Sequence, residues 1–277
     1  MTATRQVAGR RARVAGTIPR ALYVPAALGL ALLILPILGL VSRADWLRVP
    51  AAITSAEALS ALSLSLRTAG AATLLCIIVG LPLALLIARS GPRVAGALRA
   101  LTTLPLVMPP LVGGIALLYL LGRNGLVGAG LELAFGIRIP FTTAAVVIAQ
   151  SFVALPFLVI SVEGALRTSG TRFESVAATL GAGRWTVFRR ITVPLVAPGL
   201  LAGTVLCFAR ALGEFGATAL FAGNAPGVTR TMPLAIYTAF NGAGVSQDSA
   251  IALSLLLVAV AIVILLLLRS WRTEVVR

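Results

Sequence analysis

The sequence predicts an all-α integral membrane protein with six transmembrane helices, and three observations support this fold class. Of the 277 residues, 59% are hydrophobic and only 11% are charged, whereas soluble domains carry roughly 25% charged residues. The mean hydropathy is +1.03. Finally, the chain contains six apolar runs of about 20 residues, each long enough to cross the hydrocarbon core as a helix.

The spacing of these runs sets the domain organisation. We expect an arginine-rich tail at 1–21, a six-span domain at 22–268 and a short tail at 269–277. The first run follows five arginines, as in a signal peptide, but it is too long for the apolar core of such a peptide. We therefore interpret it as a retained span. The predicted spans are approximately Leu22–Val41, Thr68–Ala88, Leu101–Leu121, Phe141–Val162, Val196–Ala222 and Ala250–Leu268.

The third run is interrupted by helix-breaking residues, among them Pro105, the Pro109-Pro110 pair and Gly113-Gly114. Breaks at membrane depth are tolerated where neighbouring helices or a water-filled cavity satisfy the freed backbone groups. We therefore expect the third run in the interior of the bundle, beside a pathway. Met108 and Pro109 are candidates to line that pathway, with packing in the core as the alternative.

Two segments outside the runs have a distinct composition. Ser55–Leu66 is polar on one side and leucine-rich on the other, which predicts a helix at the membrane interface before the second span. Residues 223–249 are rich in Gly, Asn and Thr and carry too few charges for a strong anion site, so one interpretation is a solvated loop that only joins two spans.

Arginine placement predicts the orientation, because cytoplasmic segments of membrane proteins are enriched in basic residues. All 23 basic residues are arginines. With the N-terminus inside, 16 of them fall on the inner side, six on the outer side and one, Arg210, within a span. Both termini are therefore expected in the cytoplasm.

The composition also excludes several kinds of chemistry. Histidine is absent, which excludes imidazole bases and histidine-ligated metals. Without lysine the chain has no Walker A loop and cannot bind ATP by that route. Cys76 and Cys207 have no metal-binding or redox spacing and are predicted to be small core residues. In so apolar a chain, the net charge of +15 is a topology signal rather than a sign of nucleic-acid binding. We therefore expect no catalytic residue, metal site or cofactor in this chain.

The one long inner loop, residues 163–193, shows the pattern of two short helices. Thr171 and Glu174 have the spacing of a capping box, and Gly181–Gly183 predicts a break. A second helix is expected over Arg184–Thr192, ended by Pro194. The first helix carries an apolar stripe, which either packs on its own bundle or docks a partner. The stripe consists of Phe173, Val176, Ala177 and Leu180.

Gly181, followed after nine residues by Ile191-Thr192-Val193-Pro194, resembles the loop of binding-protein-dependent ABC importer permeases. In strict register the family's Glu-Ala-Ala falls on Ser175-Val176-Ala177, so the family's acidic residue is replaced by serine. Glu174 lies one residue earlier, and we expect it to cap its own helix. The resemblance implies a type I ABC importer permease fold, with this loop docked on an ATP-binding subunit. The implied coupling residues are Phe173, Glu174, Val176, Ala177, Ala178, Leu180, Gly181, Ile191 and Pro194.

Further stretches, within about residues 60–270, are similar to the oxyanion branch of that family. They are Ser65–Arg89, Leu104–Pro110, Gly122–Gly125, Gly213–Ala217 and, most similar to molybdate permeases, Gly223–Tyr237. The resemblance implies inward transport of molybdate across the bacterial inner membrane, with sulfate, thiosulfate or tungstate as alternatives. It also implies that loop 223–249 faces the substrate-binding protein or folds back toward the pathway, with Asn224, Thr229 and Arg230 as the candidate residues.

The resemblance also implies the partners. They are an ATP-binding cassette subunit that carries ATP and Mg²⁺, an extracytoplasmic oxyanion-binding protein and a second copy of this chain in a homodimer. A self-sufficient secondary transporter is a different alternative, but it would normally show several intramembrane acids and an internal repeat. An intramembrane enzyme is disfavoured by the absence of histidine.

Arg210 and Glu214 are four residues apart in the fifth run and therefore share a helix face. A lone arginine at mid-bilayer costs about 2.5–3.5 kcal/mol, so a partner is expected. A structural ion pair is the favoured interpretation. Alternatively, Arg210 and Glu214 are pathway candidates, with Arg210 offering positive potential to an anion, or the pair lies near the membrane surface.

Overall fold

The computed structural model describes residues 19–242 and 247–274, and every regular element within these ranges is helical. Most of the N-terminal tail lies outside the described residues. Residues up to Trp46 form one compact unit and those from Leu47 form a second. The first unit contains α1 (Tyr23–Ser42), an apolar helix of 20 residues that matches the first predicted span.

The second unit contains the remaining helices of the described ranges. They are α2 (Val49–Ile53), α3 (Ala56–Arg89), α4 (Pro92–Val107), α5 (Pro110–Leu121), α6 (Gly128–Phe135), α7 (Thr143–Ser169), α8 (Arg172–Thr179), α9 (Arg184–Val187), α10 (Val193–Leu212), α11 (Gly216–Phe221), α12 (Met232–Asn241) and α13 (Gln247–Glu274).

The prediction of six spans is confirmed, with the third span broken. Among the described residues, five helical stretches are long and apolar enough to cross a membrane, and the bent pair α4–α5 makes a sixth. The chain bends by 113° between these two helices. Met108 and Pro109 between them are extended, because a residue before proline is sterically excluded from the helical region. The successive prolines therefore set the position of the bend.

The predicted interfacial helix at Ser55–Leu66 is wrong as a separate element. Ser55 caps a single helix of 34 residues, α3, by accepting a hydrogen bond from the Ala58 amide at 3.2 Å. Ala58 and Ala61 are buried against α12 and α13 rather than facing the membrane interface. The outer part of α3 is therefore a packed extension of the second span.

Helix α7 is the centre of the second unit and packs most extensively on α3 and α10. The α7–α10 contact is close because glycines face it. A Cβ at Gly199 would lie 2.4 Å from that of Ala165, and one at Gly203 would lie 2.9 Å from the Cβ of Ser161. Small residues allow such close approach between membrane helices. Cys76 and Cys207 are buried in this same core, where small core residues were predicted.

Pro194 does not end the second helix of the long loop, contrary to the prediction. A π turn, Phe188–Thr192, links α9 to α10, and the Val193 amide donates to the Phe188 carbonyl five residues earlier. Proline lacks the amide that would bond the carbonyl four residues back and its ring crowds that carbonyl. The wider π turn accommodates it, and the helical path continues from the loop into the fifth span.

Candidate functional site

A cavity of about 180 Å³ lies at the bend of the third span. It is lined by Met108 and Pro109 at the bend, by Phe152 and Phe157 of α7, and by Arg210 of α10. The structure therefore brings together three of the predicted pathway residues from two elements that are far apart in the sequence. Among the described residues of the lining, Arg210 is the one charged residue, and the other lining side chains are apolar.

Glu214, the fourth predicted pathway residue, is the ion partner of Arg210. The Nη2 of Arg210 lies 2.7 Å from Oε2 of Glu214, and the other carboxylate oxygen accepts a hydrogen bond from the Ala217 amide at 2.8 Å. The Glu214 side chain is 1% exposed, whereas that of Arg210 is 27% exposed. The predicted pair is thus confirmed, and its positive member is the one in contact with the cavity.

The same contacts mark the end of the fifth span, which lies earlier than predicted. α10 ends at Leu212, and α11 begins at Gly216 with Glu214 as the acceptor for its first turn. The predicted run to Ala222 is therefore broken beside the ion pair. This break places a buried carboxylate at the end of one helix and at the start of the next.

The first helix of the long loop presents its apolar residues outward. Phe173, Val176 and Leu180 of α8 are exposed, as is Trp185 of α9, which stacks on Phe188 with ring centroids 5.2 Å apart. Of the predicted stripe, Ala177 alone is half-buried. The apolar face is therefore available to a partner instead of being covered by the described part of its own chain.

Glu174 does not cap its own helix, contrary to the prediction. Thr171 occupies the N-cap position, but its side chain makes no capping hydrogen bond. The Glu174 carboxylate instead forms an ion pair with Arg89 at the end of α3, and its Oε1 accepts a hydrogen bond from Thr192 at 2.7 Å. A charged arginine is a stronger partner for the carboxylate than a backbone amide, which explains the difference.

The remaining predicted coupling residues lie in the loop itself or in its connection to the fifth span. Gly181 has φ of +84°, a conformation that glycine adopts without strain, and it turns the chain between α8 and α9. Ala178 is exposed beside the apolar face. Ile191 and Pro194 lie farther on, in the π turn and in the first turn of α10, so they belong to the connection with the fifth span.

A second ion cluster lies near the C-terminal end of α7. Glu163 accepts from Nη2 of Arg99 on α4 at 2.7 Å and from Nε of Arg167, one turn farther along α7, at 2.8 Å. Glu163 is buried. This cluster ties the first half of the broken span to the central helix.

The three candidates of the 223–249 loop lie elsewhere, and none of them lines the Arg210 cavity. Arg230 forms an ion pair with Glu57 of α3 and donates from Nε to Asn224 at 3.0 Å. Asn224 in turn donates to Thr238 of α12 at 2.8 Å. Thr229 is fully buried and accepts the Ala225 amide at 2.8 Å. Residues 224–228 are exposed, but side-chain bonds of Asn224 and Arg230 pin the described part of this loop to α3 and α12.

Sequence reasoning missed Arg89 and Thr192 as partners of Glu174, and Arg99 as a partner of Glu163. No local spacing joins these residues, since Arg89 and Glu174 are 85 positions apart. Among the described residues, no group of three acidic, cysteine or histidine side chains is arranged to hold a metal ion. The arrangement thus consists of a cavity lined by one arginine, an exposed apolar loop and ion pairs that link helices.

Comparison with known proteins gives a consistent result. The family model described as "Binding-protein-dependent transport system inner membrane component" matches residues 80–274. The chain is 54% identical over 237 residues to the molybdenum transport system permease protein ModB of Mycobacterium tuberculosis. The aligned region makes up 86% of this chain and 88% of the relative. ModB of Escherichia coli is 42% identical over 190 residues, or 69% of this chain and 83% of the relative.

Two solved structures share the fold. A bacterial ABC transporter that imports the acidic polysaccharide alginate matches with a TM-score of 0.68 at 20% identity, covering 93% of this chain and 95% of that chain. The MetNI methionine ABC transporter matches with a TM-score of 0.60 at 18% identity, covering 79% of this chain and 96% of that chain. At these identities the likeness concerns the path of the helices.

Proposed function

Since the chain belongs to the binding-protein-dependent transport system inner membrane components, we propose that it is the permease subunit of an importer that carries molybdate into the cell. As an ABC importer permease it spans the membrane, while ATP is hydrolysed on a separate subunit. The observation that carries the proposal is the cavity at the bend of the third span, in which Arg210 supplies positive charge.

The cavity suits transient passage of an oxyanion. A guanidinium attracts a tetrahedral anion by charge and by its fork of N–H donors. The Glu214 carboxylate neutralises part of that charge, which weakens the attraction and favours release. A strong site would retain the ion, whereas a transporter needs an anion to enter and leave. The names of the related permeases support molybdate as the anion.

The exposed apolar face of α8 supports docking of the ATP-binding subunit. Burying a leucine or phenylalanine side chain contributes about 1.5–3 kcal/mol, so Phe173, Val176 and Leu180 together provide a substantial contact. Gly181 turns the chain directly after this face. In this proposal, ATP and Mg²⁺ bind the partner subunit, and an extracytoplasmic oxyanion-binding protein delivers molybdate at the opposite end.

The proposal includes a homodimer and an inward-facing loop 163–193. Val107 and Leu111 beside the bend are exposed apolar residues, which suits a contact with a second copy next to the cavity. The excess of arginines in the segments on the same side as this loop supports its cytoplasmic location.

The test is uptake of labelled molybdate and sulfate in cells that lack this chain and in cells in which it is restored. We expect restored molybdate uptake that a large excess of sulfate does not suppress. Competition by tungstate measures how strongly the transporter prefers molybdate over tungstate. Restored sulfate uptake without molybdate uptake would contradict the substrate assignment. No restored uptake of any oxyanion would contradict the proposed function.

A further inference from the structure

Glu174 joins three separate elements of the described chain through one carboxylate. It lies on α8, forms an ion pair with Arg89 at the last residue of α3, and accepts a hydrogen bond at 2.7 Å from Thr192, the last residue of the π turn before α10. Its side chain is 17% exposed. The carboxylate is therefore an internal contact and not a part of the solvent-facing surface of α8.

The internal contact and the exposed face of α8 are distinct. Phe173, Val176 and Leu180 are exposed, while Glu174 binds back to the bundle. A partner pressing on the apolar face thus moves α8 without having to compete for the carboxylate. Because both Glu174 contacts are polar and directional, movement of α8 must either pull on both neighbours or break these bonds.

The two neighbours lead to the centre of the molecule. α3 and α10 both pack extensively on α7, the central helix. Thr192 is followed directly by α10, which carries Arg210 into the wall of the cavity. At a rise of about 1.5 Å per residue, the 18 steps along the chain from Thr192 to Arg210 span about 27 Å. The helix thus provides a continuous mechanical path from the loop to the cavity.

We propose that Glu174 is a positioning residue that transmits displacement of α8 to α3 and α10, and so couples the loop to the Arg210 cavity. This inference rests on the proposed function, because it assumes that α8 is displaced by an ATP-binding subunit. A carboxylate suits the role because its two oxygens bind two donors at once and its charge strengthens both bonds. The neighbouring Ser175 is too short to do so and bonds its own helix, at the Thr171 carbonyl.

The experiment uses the whole complex in liposomes, with the ATP-binding subunit and the molybdate-loaded binding protein. Three quantities are measured: retention of the ATP-binding subunit, ATP hydrolysis, and molybdate uptake per ATP hydrolysed. The test variants are Glu174→Gln, Thr192→Val and the charge exchange Arg89→Glu with Glu174→Arg. The matched control is Glu132→Gln, since Glu132 also has two side-chain partners, Arg123 and Arg138, but lies between the third and fourth spans.

We expect Glu174→Gln to keep the ATP-binding subunit and its hydrolysis while uptake per ATP falls about tenfold, a typical size for loss of coupling between sites. Thr192→Val removes only the hydroxyl bond to α10 and is expected to lower the same ratio less. The charge exchange is expected to recover part of the loss caused by Glu174→Gln, and Glu132→Gln to leave the ratio unchanged.

An unchanged ratio in both Glu174→Gln and Thr192→Val overturns the inference. Loss of the ATP-binding subunit in Glu174→Gln also overturns it, because the residue would then belong to the docking surface. If Glu174→Gln does not accumulate in the membrane, Thr192→Val decides alone, and a normal ratio there overturns the transmission to α10. A wild-type complex that takes up no molybdate contradicts instead the proposed function, which separates the two failures.

Discussion

Arg210 and Glu214 form an ion pair in which the burial of the two members is unequal. Glu214 is enclosed and bonds both Arg210 and the first turn of α11, whereas Arg210 reaches the cavity. Removing the arginine leaves a buried charge without its partner, and this costs far more than the net value of the pair. A structural role and a transport role therefore have to be separated by substituting both residues together.

We predict that Arg210→Ala lowers the abundance of the protein in the membrane, because loss of one member of a buried pair destabilises by about 3–5 kcal/mol. The double variant Arg210→Met with Glu214→Gln removes both charges and keeps an acceptor for the Ala217 amide. We expect it to restore abundance but not molybdate uptake. Quantitative immunoblotting and labelled uptake measure the two effects, and full uptake by the double variant would show that Arg210 serves structure alone.

Gly181 is a second residue at which the backbone conformation restricts the side chain. Its φ of +84° is unfavourable for a side chain, by about 1–2 kcal/mol, and more so for a β-branched one. We predict that Gly181→Val leaves the protein in the membrane but uncouples ATP hydrolysis from uptake. Gly183 has φ of −65° and open space around it, so Gly183→Ala is the matched control and is expected to behave as wild type. Normal uptake by Gly181→Val would argue against this turn as part of the docking geometry.

At the scale of elements, the apolar face of α8 carries the strongest prediction. Leu180 is 82% exposed and Leu126, in the turn between α5 and α6, is 91% exposed. We predict that Leu180→Ser weakens binding of the ATP-binding subunit about tenfold, the expected loss for one buried leucine at an interface. Leu126→Ser makes the same chemical change outside that face. Co-purification of the subunit with each variant measures the effect, and equal retention would place the docking surface elsewhere.

The elements differ in how far the sequence determined them. The apolar runs predicted the spans, and Pro109-Pro110 predicted the break in the third, because hydrophobic length and proline stereochemistry act locally. The separate helix at Ser55–Leu66 was predicted wrongly because its buried face meets α12 and α13, which are distant in the sequence. The i,i+4 spacing predicted the pair of Arg210 and Glu214. Nothing local predicted that Glu174 would bind Arg89, since a tertiary ion pair replaced the local cap.

At the scale of the whole molecule, the arginine distribution predicts the orientation. We predict that a membrane-impermeant maleimide labels Leu180→Cys only from the cytoplasmic side and Leu126→Cys only from the outer side. Both native cysteines are fully buried, so they contribute little background. Labelling of spheroplasts and of inverted vesicles measures the accessibility. The reverse pattern would contradict the proposed inward position of loop 163–193.

The length of α3 has a consequence for how the protein meets the lipid. Its 34 residues extend for about 51 Å, while a bilayer presents a hydrocarbon core of about 30 Å. The surplus needs no tilting or local thickening of the bilayer, because the outer turns are covered by α12 and α13. We therefore expect the N-terminal end of α3, together with α12 and the pinned loop, to lie beyond the hydrocarbon core. Substrate transfer at this end is then expected to vary little with acyl-chain length.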